Sequence, residues 1–359
     1  MTFSVAFALN AAPDLLRYNR ISMRVETQDQ PAGTGISAPP RHEFQALISG
    51  AGVYRLDRAH IALTGSDRVR WLNGMITNNV RDLAPGHGVY AFLLNPQGKI
   101  QADLYAFNRG DDLIIETQSR QAARIIEIFD RYIIMDDVEV QHLAGKFAVI
   151  SIAGPASLQI LRAIGFVHEL KTLEFSVHSW DRADLTIVCG DNPIVPNFEI
   201  WALADHADEI LKVLLEAGGQ AVSDETLETF RVACGIPKFG QDIRERDLPQ
   251  ETGQDRALNF NKGCYIGQEI VERVRSRGAL HRALAGFELA GVLSSGTRLQ
   301  YEGKDVGELT SVAVVPAGMR ERVLALGYLR KEFMPGDKSL AAGDVEVRVA
   351  KLPFEKLFS

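Results

Sequence analysis

From about residue 43 onwards, apolar and polar positions alternate in short segments that predict a series of β-strands separated by helices. Strands are expected where apolar residues are β-branched, aromatic or placed at every second position: 60–64, 89–94, 100–107, 113–117 and 138–140. Helical spacing is found after the candidate N-caps Ser66 and Asp67 and again over 120–131. Together with a short helix near Phe44, these elements predict a first α+β unit over residues 43–145.

A second unit over residues 146–222 repeats this order of elements. Strands are predicted at 147–152, 186–189 and 198–203, and helices at 156–164 and 207–216. The order favours two ferredoxin-like units, although no sequence repeat between them is evident. Residues 223–277, which include a predicted helix and a long charged loop, are expected to complete the first unit.

The two ends of the chain differ from the middle in their residue patterns. After Gly278 short alternating strands follow one another at near-regular spacing, which predicts a small β-barrel over residues 278–359. Prolines and glycines are frequent in 27–41, so residues 1–42 are expected to form a flexible extension. The predicted fold class is therefore α+β, with two ferredoxin-like units and a C-terminal barrel.

The segment 259–269, which we call the cysteine motif, places a thiol just before a predicted amphipathic helix. The apolar residues of that helix recur at helical spacing: Ile266, Ile270, Val271 and Val274. Backbone N–H groups and the positive end of the helix dipole favour a thiolate at Cys264, and Lys262 adds a cation beside it. We therefore predict Cys264 and Lys262 as catalytic residues. The alternative is that Cys264 is a small buried residue and that the neighbouring glycines only shape a turn.

Within this motif, the string Lys-Gly-Cys-Tyr-Ile-Gly-Gln-Glu at 262–269 resembles the signature of YgfZ-type folate-binding proteins. Mitochondrial relatives of those proteins assist the assembly of 4Fe–4S proteins, and both groups are related to the aminomethyltransferase (T-protein) of the glycine cleavage system. The resemblance extends weakly over residues 43–355. It implies a three-domain ring around a folate cavity, tetrahydrofolate or a one-carbon derivative as the cofactor, and iron–sulfur client or assembly proteins as partners. The other motif residues carried over with it are Gly263, Tyr265, Gly267, Gln268 and Glu269.

Three residues of the first unit match cavity positions of these relatives. Asn78 lies in a turn that the T-proteins also carry, although a helix C-cap explains it equally well. Lys99 follows the glycine of a predicted hairpin turn. Asp103 aligns with one member of an Asp-Asp pair in the aminomethyltransferases, and Ala102 replaces the other. This replacement argues against glycine-cleavage chemistry, because a proton-transfer group typically contributes about 10²–10⁴-fold to a rate.

Glu199 is the candidate for binding the pterin ring. It matches the end of a segment in the relatives, and a carboxylate between Phe198 and Ile200 can accept two hydrogen bonds from the ring N–H and the exocyclic amine of a pterin. Strand alternation alone would place Glu199 in solvent, on the face opposite Phe198 and Ile200.

Arg231 is the second candidate from this part of the chain. It matches an arginine that faces folate in the relatives, and the glutamate tail of a folate would supply the anionic partner that an arginine beside apolar residues requires. A structural ion pair with Asp242 or Glu225 is the alternative.

The amino-acid composition and net charge argue against several classes of function. The net charge of -7 argues against wholesale nucleic-acid binding. Three cysteines without a Cys-x-x-Cys pair, and eight histidines that never pair at ligand spacing, predict no metal site. No apolar run is long enough to cross a bilayer. We expect a cytoplasmic monomer without nucleic-acid or membrane partners.

Three functions remain open. The first is a tetrahydrofolate-binding accessory protein that supports assembly, repair or maintenance of iron–sulfur enzymes through Cys264. The second is a folate-dependent aminomethyltransferase. The third is an interaction module that has kept the fold and lost the folate.

Overall fold

The computed structural model describes residues 36–358, apart from 167, 181–182, 279 and 335–338. Residues 1–35 of the predicted extension therefore lie outside the described part. The first elements, in chain order, are α1 (Arg41–Ser49), β1 (Gly52–Leu56), β2 (Arg58–Thr64), α2 (Arg68–Met75), β3 (His87–Leu94), β4 (Ile100–Asn108), β5 (Leu113–Gln118), α3 (Ser119–Tyr132) and β6 (Glu139–His142).

Strands β2 to β6 form an antiparallel sheet, the first sheet, in the order β3-β4-β5-β2-β6. Because side chains alternate along a strand, Ala102 and Leu104 of β4 face one side and Asp103 and Tyr105 face the other. Helices α2 and α3 cover the side of Ala102, where they build a continuous apolar core with the sheet.

A second sheet is built mainly from the next segment. Its elements are β7 (Phe147–Ala153), α4 (Ser157–Ala163), β8 (Phe175–Trp180), β9 (Ala183–Cys189), β10 (Asn197–Leu203), α5 (Ala207–Glu216) and β11 (Gln220–Ala221). The strand order is β11-β1-β7-β10-β9-β8, so β1 belongs to this sheet. The sequence pattern predicted no strand at 52–56. The residues of β1 fall within the predicted first unit, 43–145, but they pair antiparallel with β7, about a hundred residues later.

The two sheets pack against each other. Phe107 and Ile114 of the first sheet meet Val149 and Trp201 of the second in a shared apolar cluster. The rest of this face of the first sheet, at β3 and β4, is covered by the segment 239–271. The face opposite α2 and α3 is thus divided between a sheet and a long loop.

The remaining elements close the structure. They are α6 (Asp224–Ala233), α7 (Gln268–Arg277), β12 (Arg282–Leu289), β13 (Arg298–Tyr301), β14 (Lys304–Ala317), β15 (Arg320–Arg330), β16 (Leu340–Ala342) and β17 (Val345–Ala350). The strands after α7 close into the predicted barrel, and α6 packs against it and α1. The predicted α+β fold with a C-terminal barrel is confirmed. No helix in the described ranges combines the length and apolarity needed to cross a bilayer.

Candidate functional site

A cavity of about 590 Å³ opens where the two sheets meet α6, and we call it the inter-sheet cavity. Its volume falls within the range of small-molecule sites, roughly 300–1,000 Å³. The charged and aromatic residues of its lining that matter below are Arg58, Tyr105, Asp191, Glu199, Arg231 and Arg256.

Glu199 lies on β10, and its side chain points between the two sheets. Phe198 and Ile200 face α4 and α5, as strand alternation requires. The opposite face is covered by the first sheet, so Glu199 is only 9% exposed. The expectation that alternation would place it in solvent was wrong, because both faces of the second sheet are covered.

A second buried carboxyl group and one arginine surround Glu199. Arg58 Nη2 lies 3.6 Å from Oε1 of Glu199, and Arg58 Nε lies 3.6 Å from Oε1 of Glu116 on β5. His60 Nε2 lies 3.1 Å from Oε2 of Glu116. Burial, and after it the negative charge of Glu116, raises the pKa of Glu199 to about 8. Glu199 is therefore an acid that can gain or lose its proton near neutral pH.

The wall beside Glu199 is aromatic and cationic. The Tyr105 hydroxyl lies 3.0 Å from Oδ1 of Asp191, which also forms an ion pair with Arg256. The guanidinium carbon of Arg256 lies 4.4 Å from the ring centroid of Tyr90, a cation–π distance. These contacts link strands β3 and β4 to the loop after β9, and they hold aromatic rings along one side of the cavity.

Arg231 lines the cavity, but its guanidinium is already saturated. Nε and Nη2 donate to the two oxygens of Glu228, and Nη1 donates to the Asp242 carboxylate at 2.8 Å and to the Ile236 carbonyl at 3.0 Å. Nη2 also donates to Ser311 of the barrel at 2.8 Å. All five N–H donors of an arginine are thereby used. The structure therefore shows the alternative, an ion pair between Arg231 and Asp242. The role of Arg231 in binding the folate tail stays a prediction, and the guanidinium has no free N–H group to donate to that tail.

Asp103 and Ala102 lie on opposite faces of β4. Asp103 accepts hydrogen bonds from the Tyr90 hydroxyl at 2.9 Å and from Gln121 Nε2 at 2.7 Å, on the same face as Tyr105. Ala102 is fully buried in the core beneath α2 and α3. A carboxylate at position 102 would point into that core, away from the cavity. The replacement by Ala102 therefore carries less weight against transfer chemistry than the sequence suggested.

Lys262 and Asn78 hold the end of α2 together. The Lys262 ammonium donates to the carbonyls of Asn73, Ile76 and Asn78 at 2.6, 2.7 and 2.6 Å. Three donors require the ammonium form, since a neutral amine has only two N–H groups. Burial, and then the charge of Arg81, opposes that form and lowers the pKa of Lys262 to about 7.

The side chain of Asn78 is likewise used within the fold. Its amide donates to the carbonyls of Tyr90 at 2.8 Å and Arg256 at 2.9 Å. Its carbonyl oxygen accepts from the N–H of Asn79. Contacts within the fold therefore explain both Lys262 and Asn78. Their predicted catalytic and ligand-binding roles stay predictions, and neither residue lines the cavity.

Glycines fix the start of α7 against the hairpin that carries Lys99. Gly267 has φ +83°, and a Cβ there would lie 2.6 Å from the carbonyl oxygen of Asn95. Gly98, with φ +71°, faces Ile270 of α7 just as closely. Lys99 itself is half-buried in this hairpin and does not line the inter-sheet cavity.

The other motif residues divide between core and surface. Tyr265 is buried, its ring centroid lies 5.1 Å from Lys262 Nζ, and burial raises its pKa to about 12. Gln268 is the first residue of α7, and Glu269 is exposed and pairs with Arg273 at 3.1 Å.

Cys264 and Gly263 are exposed, four and five residues before the first residue of α7. The alternative, that Cys264 is a small buried residue, is wrong, because the chain turns outward between the buried side chains of Lys262 and Tyr265. Its thiol does not line the inter-sheet cavity.

Sequence reasoning missed Arg58, His60, Glu116, Asp191 and Arg256. The sequence did contain one signal. Glu116 interrupts the apolar run of β5, and His60 lies two residues after Arg58, on the face of β2 opposite Ile61 and Leu63. Among the residues with described positions, no three His, Cys, Asp or Glu side chains cluster as a metal site would require.

Comparisons with known proteins agree with this architecture. The chain is 25% identical over 311 residues to a putative chloroplastic transferase of Arabidopsis thaliana, covering 84% of this chain and 71% of that one. It is 27% identical over 336 residues to an aminomethyltransferase of Rippkaea orientalis, covering 88% and 89%. The glycine cleavage system aminomethyltransferase T of Bartonella henselae shares the fold with a TM-score of 0.78 and 19% identity, covering 87% and 88%. The family model described as the GCVT N-terminal domain matches residues 34–262, more than half of the chain. The chain therefore belongs to the GCVT family.

Proposed function

We propose that this protein binds tetrahydrofolate in the inter-sheet cavity and transfers a one-carbon group, in the manner of an aminomethyltransferase. The observation that carries the proposal is the buried carboxyl of Glu199 in a cavity of about 590 Å³. Membership of the GCVT family and the names of the relatives support it.

The cavity offers the chemistry that a reduced folate needs. An ionised Glu199 accepts two hydrogen bonds from the ring N–H and the exocyclic amine of a pterin, and such paired charge-assisted bonds fix orientation as well as affinity. Tyr105 supplies an aromatic wall. Arg58, with its charge beside Glu199, favours the ionised form.

Transfer would move a methylene from an aminomethyl thioether to the folate. The carbon–sulfur bond breaks and the sulfur leaves as a thiol. The carbon becomes bound to two nitrogens of tetrahydrofolate, and ammonia leaves. This chain's part is to hold the pterin through Glu199 and to position it against the Tyr90–Asp103 side of the first sheet.

Two measurements test the proposal. Calorimetric titration with tetrahydrofolate should show saturable binding that weakens about tenfold or more in Glu199→Gln, because a paired charge-assisted contact typically contributes 1.5–3 kcal/mol. A coupled assay with an aminomethyl-lipoyl donor should yield methylene-tetrahydrofolate. Glu216→Gln, at an exposed carboxylate on α5, is the matched control and should behave as wild type. Absence of saturable binding by the wild type would reject the proposal and favour the folate-free module.

A second candidate rests on Cys264. In the cysteine motif, Lys262 and Tyr265 are buried and Gly267 fits a close approach, whereas Cys264 is exposed. Packing therefore gives no account of a thiol at this position. An accessory role for iron–sulfur enzymes, as in the YgfZ-type proteins that the motif resembles, would use that thiol beside a folate-binding cavity.

A further inference from the structure

Two buried carboxyl groups, from different sheets, meet beside the inter-sheet cavity. Glu116 of β5 is 1% exposed and Glu199 of β10 is 9% exposed, and Arg58 forms an ion pair with both. Two carboxylates cannot hydrogen-bond to each other, because a carboxylate can only accept, so a bond between these groups requires a proton on one of them.

The positive charge next to the pair is not sufficient to neutralise two carboxylates. Arg58 lies 3.6 Å from an oxygen of each and is the cation that faces both. His60 contacts Glu116 at 3.1 Å and packs against Trp201 with ring centroids 4.5 Å apart. Two tyrosines and one further acid also bear on this group of charges. Burial raises the pKa of Tyr54 and of Tyr105, which keeps both neutral, and Asp103 acts on Arg58. Burying two like charges beside one arginine is costly, since burial disfavours every uncompensated charge.

We propose that Glu116 is a positioning residue that keeps Glu199 protonated while the cavity is empty, so that binding a pterin at Glu199 expels one proton. The inference rests on the proposed function, because it concerns the same cavity and the same ligand. An acid–carboxylate pair cannot accept two N–H donors at Glu199. The incoming ligand must therefore replace the shared proton, and Glu116 thereby sets the affinity at a given pH.

The neighbouring groups favour the proton on Glu199 over Glu116. Burial would by itself raise the pKa of Glu116, but the hydrogen bond from His60 and the charge of Arg58 lower it overall. For Glu199, burial and the charge of Glu116 act together and raise the pKa to about 8. His60 thus stabilises the ionised Glu116, and the proton stays on the side that faces the cavity.

Proton release is measured by calorimetry in buffers of different ionisation enthalpy, with tetrahydrofolate as the ligand. With a pKa of about 8, about 0.9 proton should be released per bound folate at pH 7, and the dissociation constant should fall about tenfold between pH 6 and pH 7. Glu116→Gln should bind up to about tenfold more tightly than wild type at pH 7 and equally at pH 9. Glu199→Gln should bind weakly at every pH with no proton release, which separates Glu199 from His60 as the source.

The outcomes are distinguishable. No saturable binding by wild type rejects the proposed function itself. Saturable binding that is flat from pH 6 to pH 9 and releases no proton overturns this inference and leaves the folate site intact. If Glu116→Gln does not fold, the wild-type and Glu199→Gln profiles still decide the question, since a persistent pH dependence in Glu199→Gln would also overturn the inference.

Discussion

Lys262 Nζ donates a hydrogen bond of 2.6 Å to the carbonyl of Asn78, and this contact ties the cysteine motif to the end of α2. The amide of Asn78 in turn donates to the carbonyl of Arg256, whose guanidinium reaches the inter-sheet cavity. The motif and the cavity are therefore neighbours that share a scaffold. The exposed thiol and the buried carboxyl remain separate sites.

Replacing Lys262 should destabilise the fold. In Lys262→Met three buried carbonyl oxygens lose their donor, and a buried acceptor left without a partner costs about 1–3 kcal/mol. We expect the free energy of unfolding, measured by urea denaturation, to fall by about 3 kcal/mol or more. Lys212→Met, at an exposed position on α5, should change it by less than about 0.5 kcal/mol. Equal stability of the two variants would contradict a structural role for Lys262.

The two glycines that flank α7 offer a matched pair. Both have positive φ, but a Cβ at Gly267 would strike the Asn95 carbonyl, whereas a Cβ at Gly278 would meet open space. Gly278→Ala should cost about 1–2 kcal/mol from backbone strain alone. Gly267→Ala should cost about 1–3 kcal/mol more, from the added steric conflict. Urea midpoints compare them directly, and similar midpoints would show that the hairpin does not constrain α7.

Arg231 should matter for stability more than for folate. Arg231→Met leaves the fully buried Asp242 without its cation, and breaking a buried ion pair in this way typically costs about 3–5 kcal/mol. Because the guanidinium has no free donor, the dissociation constant for tetrahydrofolate should change less than about threefold when measured under conditions where the variant is folded. A tenfold or larger loss would instead support the folate-tail role predicted from the sequence.

Cys264 can be removed without disturbing either the core or the cavity. Cys264→Ser should leave the unfolding free energy within about 0.5 kcal/mol of wild type and the folate affinity unchanged. Under the accessory role proposed for Cys264, it should nevertheless abolish rescue of iron–sulfur enzyme activity in cells that lack the protein. Cys189→Ser, at a half-buried thiol of β9, is the control and should retain rescue. Full rescue by Cys264→Ser would reject the accessory role.

Local patterns predicted most of the elements, although they missed the strands β1, β8 and β11, and they did not predict which strands pair. The alternation of β4 and the helical spacing of α3 were sufficient to place these elements. The strands β1 and β7 pair although they lie about a hundred residues apart in the chain, so no local sequence pattern indicates this pairing. The same limit explains Glu199: its alternation was correctly anticipated, whereas its burial depends on a second sheet that covers the face it occupies.

The cysteine motif shows a different limit. Its residue types correctly predicted a turn before a helix, and Gly267 takes the positive φ that such a turn needs. The sequence did not indicate that Lys262 points inward to three carbonyls while Cys264 points outward. That division depends on where the end of α2 lies, and the acceptors come from residues about 185 positions earlier in the chain.

A crystal structure of the protein with tetrahydrofolate bound would show directly whether Glu199 holds the pteridine. We predict that the pteridine lies in the inter-sheet cavity, with its ring N–H and exocyclic amine within hydrogen-bond distance of the Glu199 carboxylate and its plane beside Tyr105. A folate bound elsewhere, or a pteridine whose nitrogens make no contact with Glu199, would contradict this prediction.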